Sequence, residues 1–172
     1  MTWILNCIII AFIIYFSYNA LALYNFGVPY SLSKTYYLFE EKKKWMRALF
    51  PIMMISVAAL LTPAWLTLSV GSTYQFTAFL APLGVMFVGA CPTFNGSKME
   101  DRVHTISAFF AAVMALMWVI LVAGTWHFIL FWSLLILVLS LFTKTLKSGI
   151  VYWLETIVFM STFMSMLYCV LI

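Results

Sequence analysis

One acidic side chain, Glu155, lies inside an apolar stretch of the sequence, five positions after the stretch begins at Ile150. At 1.5 Å per residue, its carboxyl group is expected roughly 8 Å along a helix from that end. An ionised carboxylate without a partner is costly in hydrocarbon, so Glu155 should be either protonated or hydrogen-bonded to another helix. An acid buried in a membrane in this way predicts a functional site.

A second group of polar residues begins another apolar stretch. Asp101, His104 and Ser107 are spaced three residues apart, so a helix presents an acid, an imidazole and a hydroxyl in one row. This row resembles a proton relay, and Ser107 with His104 as its base would be the candidate for nucleophilic catalysis. The alternative is that Asp101 caps the helix, His104 lies at the interface and Ser107 packs against a neighbour.

The predicted binding pocket combines these residues at one depth of the membrane. Asn19, near the end of the first apolar stretch, is expected on the same side as Glu155 and His104. The candidate pocket residues are Glu155, His104, Asp101, Ser107 and Asn19. Catalytic residues are not identified, because the sequence shows no recognisable oxyanion hole.

Metal and cofactor chemistry is not predicted. The two histidines, His104 and His127, lie at opposite ends of a helix of about 20 residues, which separates them by roughly 30 Å. One metal ion cannot bind both of them. The three cysteines, Cys7, Cys91 and Cys169, have no C-x-x-C spacing, and no nucleotide-binding motif is present. We therefore expect no metal and no cofactor.

The composition excludes a water-soluble globule. Of the 172 residues, 66% are hydrophobic and 8% are charged, and the mean hydropathy is +1.09. Too few polar residues remain to cover a soluble protein. The net charge of +4 comes from basic residues that cluster beside apolar runs. That arrangement favours anionic lipid headgroups rather than nucleic acid as the partner.

The apolar runs predict an all-α, polytopic integral membrane protein with a single domain, residues 1–172. Six transmembrane helices are expected at residues 4–23, 48–70, 73–91, 103–122, 125–142 and 150–172. The break between the fourth and fifth spans is placed at Gly124. The largely apolar run of residues 103–142 is 40 residues long, which is too long for one crossing.

The distribution of Lys and Arg predicts the orientation. All nine of these residues fall in the first, third and fifth connections, and the other connections and both termini have none. The positive-inside rule then places both termini on the non-cytoplasmic side. We expect a multi-pass protein of a plasma or inner membrane.

Two of the connections carry further predictions. Residues 24–47 are rich in aromatic residues and lysines and are expected to lie at the interface, as a helix with Ser33 as its cap or as an anchored loop. In the third connection, Asn95 and Gly96 predict a turn, and Asn95 with Ser97 matches a glycosylation acceptor. The predicted cytoplasmic location would leave Asn95 unmodified.

Small residues predict where helices contact each other, because backbones in lipid approach closely only where side chains are short. The fourth span has Ser107, Ala111 and Ala115 at four-residue spacing, so it is expected to be central. The third span contributes Gly84. Pro63 is expected to bend the second span.

Four functions are compatible with these patterns. The first is a small membrane protein whose cytoplasmic-side polar pocket binds or translocates a small molecule, a proton or a lipid headgroup. The second is a homo-oligomeric ion channel, and the third is a membrane-embedded, lipid-modifying enzyme using the Asp101, His104 and Ser107 row. The fourth is an accessory subunit in which the polar residues only hold helices together.

Overall fold

A computed structural model describes residues 1–93 and 98–172, and within these residues the chain is helical, with no strand. The α-helices are α1 (Thr2–Phe26), α2 (Lys34–Lys42), α3 (Leu49–Leu68), α4 (Phe76–Ala90), α5 (Lys98–Leu121), α6 (Trp126–Phe142) and α7 (Ile150–Leu171). A 3-10 turn, Lys44–Ala48, leads into α3. The turn and glycosylation motif predicted at Asn95, Gly96 and Ser97 lie outside the described residues.

Four helical stretches are long and apolar enough to cross a membrane, namely Thr2–Phe26, Lys44–Leu68, Lys98–Leu121 and Ile150–Leu171. The other two apolar helices are shorter: α4 has 15 residues and α6 has 17. At 1.5 Å per residue they are about 22 and 26 Å long, below the roughly 30 Å of a hydrocarbon core. The six predicted apolar helices are thus present, and four of them have the full length of a span.

The helices pack as an antiparallel bundle in which α1, α3, α4, α5 and α7 form the central part. Tyr15 of α1 stacks on Phe159 of α7, with ring centroids 4.6 Å apart. Further along α1, Phe12 meets Phe163 edge-on at 5.4 Å. From the first contact to the second, the residue number decreases on α1 and increases on α7. The two helices are therefore antiparallel. Helix α6 lies at the periphery, with α7 as its principal neighbour.

Helices α4 and α5 approach each other closely at Gly84. A Cβ atom built on Gly84 would lie 2.8 Å from Cβ of Ala111 and 3.1 Å from its backbone nitrogen. Only glycine fits this position without a shift of one helix. The contact places Ala111, one of the three small residues of the fourth apolar run, against another helix. Both proline-containing helices, α3 with Pro63 and α4 with Pro82, continue through the proline.

The connection between α1 and α3 folds into the bundle. Its helix α2 buries Phe39 completely, and Phe39 packs against Phe26 at 5.0 Å and Tyr18 at 5.7 Å between ring centroids. The segment before α2 is also buried, with Leu32 at 2% exposure. The predicted helix is therefore present, but its apolar side is covered by protein.

Ser33 does not cap α2 with its side chain, which corrects the capping prediction. The N–H groups at the start of the helix are already satisfied: Lys34 donates to Ser31, Thr35 donates to the carbonyl of Leu32, and Tyr36 donates to the carbonyl of Ser33. The Ser33 hydroxyl is therefore available for a hydrogen bond with a residue that is far away in the sequence.

Candidate functional site

Hydrogen bonds between polar side chains join the helices near both ends of the bundle. At one end, Trp118 of α5 donates its indole N–H to the hydroxyl of Ser69 after α3, at 2.7 Å. At the same end, Thr125 donates to Ser165 of α7 at 2.6 Å. All of these side chains are buried. The other end holds the larger set, which includes most of the predicted pocket residues.

Asn19 is buried and connects α1 to α7. Its side-chain amide donates to the carbonyl of Tyr15 at 2.8 Å, and its oxygen accepts a hydrogen bond from the hydroxyl of Tyr152 at 2.9 Å. The backbone N–H of Tyr152 donates to the carbonyl of Tyr30 at 3.0 Å. Asn19 is therefore a structural link with both amide atoms engaged.

Glu155 accepts a hydrogen bond from the backbone N–H of Leu32, 2.6 Å from its Oε2 atom. This contact joins α7 to the segment that precedes α2. Glu155 is half-buried, and it forms part of the wall of an internal cavity. Its carboxyl group is therefore held by the backbone of Leu32, and the residue itself lines the cavity.

The cavity has a volume of about 70 Å³ and lies between α3, α4, α5 and α7. Most of its wall is aliphatic or aromatic, and the α5 side consists of alanines. The wall residues from the helices, apart from Glu155, are Met54, Leu61, Trp65, Val85, Val88, Ala108, Ala111, Ala112, Ala115, Val158, Phe159 and Thr162. Leu32 and Ser33 close it at the Glu155 end.

His104 is buried and uses both ring nitrogens. Its Nδ1 atom lies 2.7 Å from the carbonyl oxygen of Cys91, and its Nε2 atom lies 2.8 Å from the hydroxyl oxygen of Ser33. A carbonyl only accepts, so Nδ1 carries a proton and donates it to Cys91. In the neutral ring, Nε2 then accepts the hydroxyl proton of Ser33.

The predicted Asp101, His104 and Ser107 row is divided by the packing. Asp101 is exposed, and its negative charge interacts electrostatically with the His104 ring. Ser107 lies in an outer groove of α5, beside Arg102 and Ile106. His104 points instead to Ser33, which contributes to the cavity wall.

Some site residues were not predicted from the sequence. Ser33 was recognised only as a cap, and Leu32, Tyr152 and Trp65 were not predicted. Trp65 is 3% exposed and its indole N–H has no hydrogen-bond partner within the described residues. An aromatic residue in an apolar run gives no sequence signal that its N–H will be unpaired, so only the packing reveals this.

The described residues contain no group of three or more metal-ligating side chains. Comparison of the chain with protein-family models, curated proteins and solved structures gives no match in any of the three.

Proposed function

We propose that this chain is a six-span membrane protein that binds a small molecule in the cavity beside Glu155. The ligand has an apolar body, which matches the cavity wall, and an amine or another hydrogen-bond donor that contacts Glu155. The observation that carries this proposal is the carboxyl group of Glu155, which accepts the Leu32 N–H at 2.6 Å and belongs to a residue that lines a mostly apolar cavity.

The size of the cavity limits the ligand. Pockets for drug-sized molecules have volumes of roughly 300–1,000 Å³, whereas this cavity has about 70 Å³. A ligand with four or five heavy atoms is therefore the expected class.

The proposed orientation places the Glu155 end of the bundle in the cytoplasm. The packing supports this because the basic connections meet at that end: residues 24–47 contact α7 through Leu32 and Glu155, and Gly149, next to the Lys147 connection, packs against Val28. Epitope tags at the two termini test the arrangement in sealed vesicles. Both tags should be accessible from the same face, and tags on opposite faces would refute the six-span proposal.

The binding test uses 3-fluoropropylamine as the probe, followed by fluorine NMR, with the purified protein in zwitterionic lipid nanodiscs. The neutral control is 3-fluoropropan-1-ol, which has the same fluoropropyl chain. A charged hydrogen bond contributes about 1.5–3 kcal/mol, so the Glu155→Gln protein should bind the amine at least tenfold more weakly.

The glutamine variant is a close structural match, because its side-chain oxygen can still accept the Leu32 N–H. Thr156→Val provides a matched control on the adjacent residue, whose hydroxyl bonds to the carbonyl of Tyr152 in its own helix. Equal binding of the amine and the alcohol, or equal amine binding by wild type and Glu155→Gln, would refute the proposed role of Glu155.

A further inference from the structure

The hydroxyl of Ser33 is held by an imidazole in the geometry of an activated nucleophile. The Oγ atom of Ser33 lies 2.8 Å from Nε2 of His104, and the opposite ring nitrogen is fixed at 2.7 Å by the carbonyl of Cys91. Ser33 is 5% exposed and His104 is also 5% exposed. A nucleophile, a base and a group that orients the base are the three parts that serine-based acyl transfer requires.

The local structure explains why this hydroxyl is available. A serine at the start of a helix ordinarily accepts a hydrogen bond from an N–H group of the first turn. Here those N–H groups already have acceptors in Ser31, Leu32 and Ser33 itself. Because the Cys91 carbonyl holds the proton on Nδ1, the lone pair of Nε2 is directed at the Ser33 hydroxyl in the neutral ring.

The surroundings indicate the class of substrate. Ser33 is part of the wall of a cavity that is bounded mainly by alanines and aliphatic side chains. The backbone N–H of Ser33 makes no hydrogen bond within the described residues and is the available donor to an oxyanion. One donor is fewer than the two or more of an efficient oxyanion hole, so slow turnover is expected.

We propose that Ser33 and His104 form a nucleophile and base pair that accepts acyl groups from small carboxylic esters with short apolar chains. The Ser33 oxygen attacks the ester carbonyl carbon while its proton moves to Nε2 of His104. The carbon–oxygen bond to the alcohol breaks, and the alcohol leaves with that proton. Water then attacks the acyl-serine, releases the carboxylic acid and returns the proton to Ser33.

The experiment uses methanesulfonyl fluoride, which has five heavy atoms, as the probe, with the full chain in lipid nanodiscs. The Ser33 oxygen bonds to sulfur, fluoride leaves, and the serine proton passes to His104. Intact-mass analysis should show one adduct, which peptide mapping places on Ser33. The Ser33→Ala protein should form no adduct, and His104→Gln should label at least tenfold more slowly, with roughly 100-fold expected for loss of a general base.

Ser31→Ala is the matched control, because Ser31 is a buried serine of the same segment whose hydroxyl accepts from the Lys34 N–H. Its labelling rate should stay within a few-fold of wild type. An unlabelled wild-type protein, an adduct that persists in Ser33→Ala, or a loss below tenfold in His104→Gln would overturn the proposal.

If size-exclusion chromatography shows that the His104→Gln protein does not fold, the proposal is tested on the wild-type protein instead. The measurement is then the labelling rate of Ser33 relative to that of another serine. Ser148 is exposed on a connection, and an activated Ser33 should label at least 100-fold faster than Ser148. Equal labelling of the two serines would overturn the proposal. 3-Fluoropropylamine binding measured on the same samples separates the two proposals, since each measurement can fail while the other succeeds.

Discussion

Replacing Gly84 with alanine should destabilise the contact between α4 and α5. The added methyl carbon would lie 2.8 Å from Cβ of Ala111 and 3.1 Å from both its Cα and its backbone nitrogen. Ordinary contacts of this kind begin near 3.4 Å, so α4 and α5 must separate by about 0.6 Å. Two of the three obstructing atoms belong to the backbone, and therefore a rotamer change cannot relieve the clash.

Overpacking of this size typically costs about 1–3 kcal/mol. The free energy of unfolding can be measured in mixed micelles of dodecylmaltoside and sodium dodecyl sulfate, with tryptophan fluorescence as the signal. Gly89→Ala is the matched control on the same helix, because its nearest neighbours are side-chain atoms of Ile55 and Met54 at 3.0 Å. A smaller loss is expected there.

The double variant Gly84→Ala with Ala111→Gly supplies a second control. Removing the Ala111 methyl group eliminates the 2.8 Å contact and leaves the two at 3.1 Å, so part of the lost stability should return. Wild-type stability in Gly84→Ala, or a loss in Gly89→Ala that equals it, would show that α4 and α5 do not meet through these residues.

Three further outcomes are expected in the same unfolding assay. Ser69→Ala should cost about 1–3 kcal/mol because it leaves the buried indole N–H of Trp118 unpaired, and the loss should shrink in a Trp118→Phe background. Glu155→Leu should cost more than Glu155→Gln, since only leucine removes the acceptor of the Leu32 N–H; equal losses would contradict that contact. Gly71→Ala should cost about 1 kcal/mol, because Gly71 has φ +83° in open space; an unchanged stability would argue against this turn.

The positions of the helices could be predicted from the sequence because they depend on runs of apolar residues. Each of the six predicted apolar stretches overlaps one of the apolar helices of the structure. The third predicted stretch began at residue 73, whereas α4 begins at Phe76. The difference arises because Gln75 donates to the carbonyl of Ser72 in a turn that composition alone does not distinguish from a helix.

The site was harder to predict, because its decisive contacts join residues far apart in the chain. Ser33 and His104 are separated by 71 positions, and Leu32 and Glu155 by 123. Local spacing favoured Ser107 as the partner of His104, since both lie on one helix. The packing of several helices determines which face of α5 contacts the segment before α2. No short pattern in the sequence predicts this orientation.

The peripheral position of α6 has a consequence for biosynthesis. Its polar contacts to the bundle are made with α7, through Thr125 with Ser165 and Ser161 with the carbonyl of Phe128. Because α7 follows α6 in the chain, the ribosome delivers α6 before its docking surface exists. In the proposed membrane topology, α6 would remain beside the translocon or among lipids until α7 is inserted, so the docking of α6 depends on the insertion of α7.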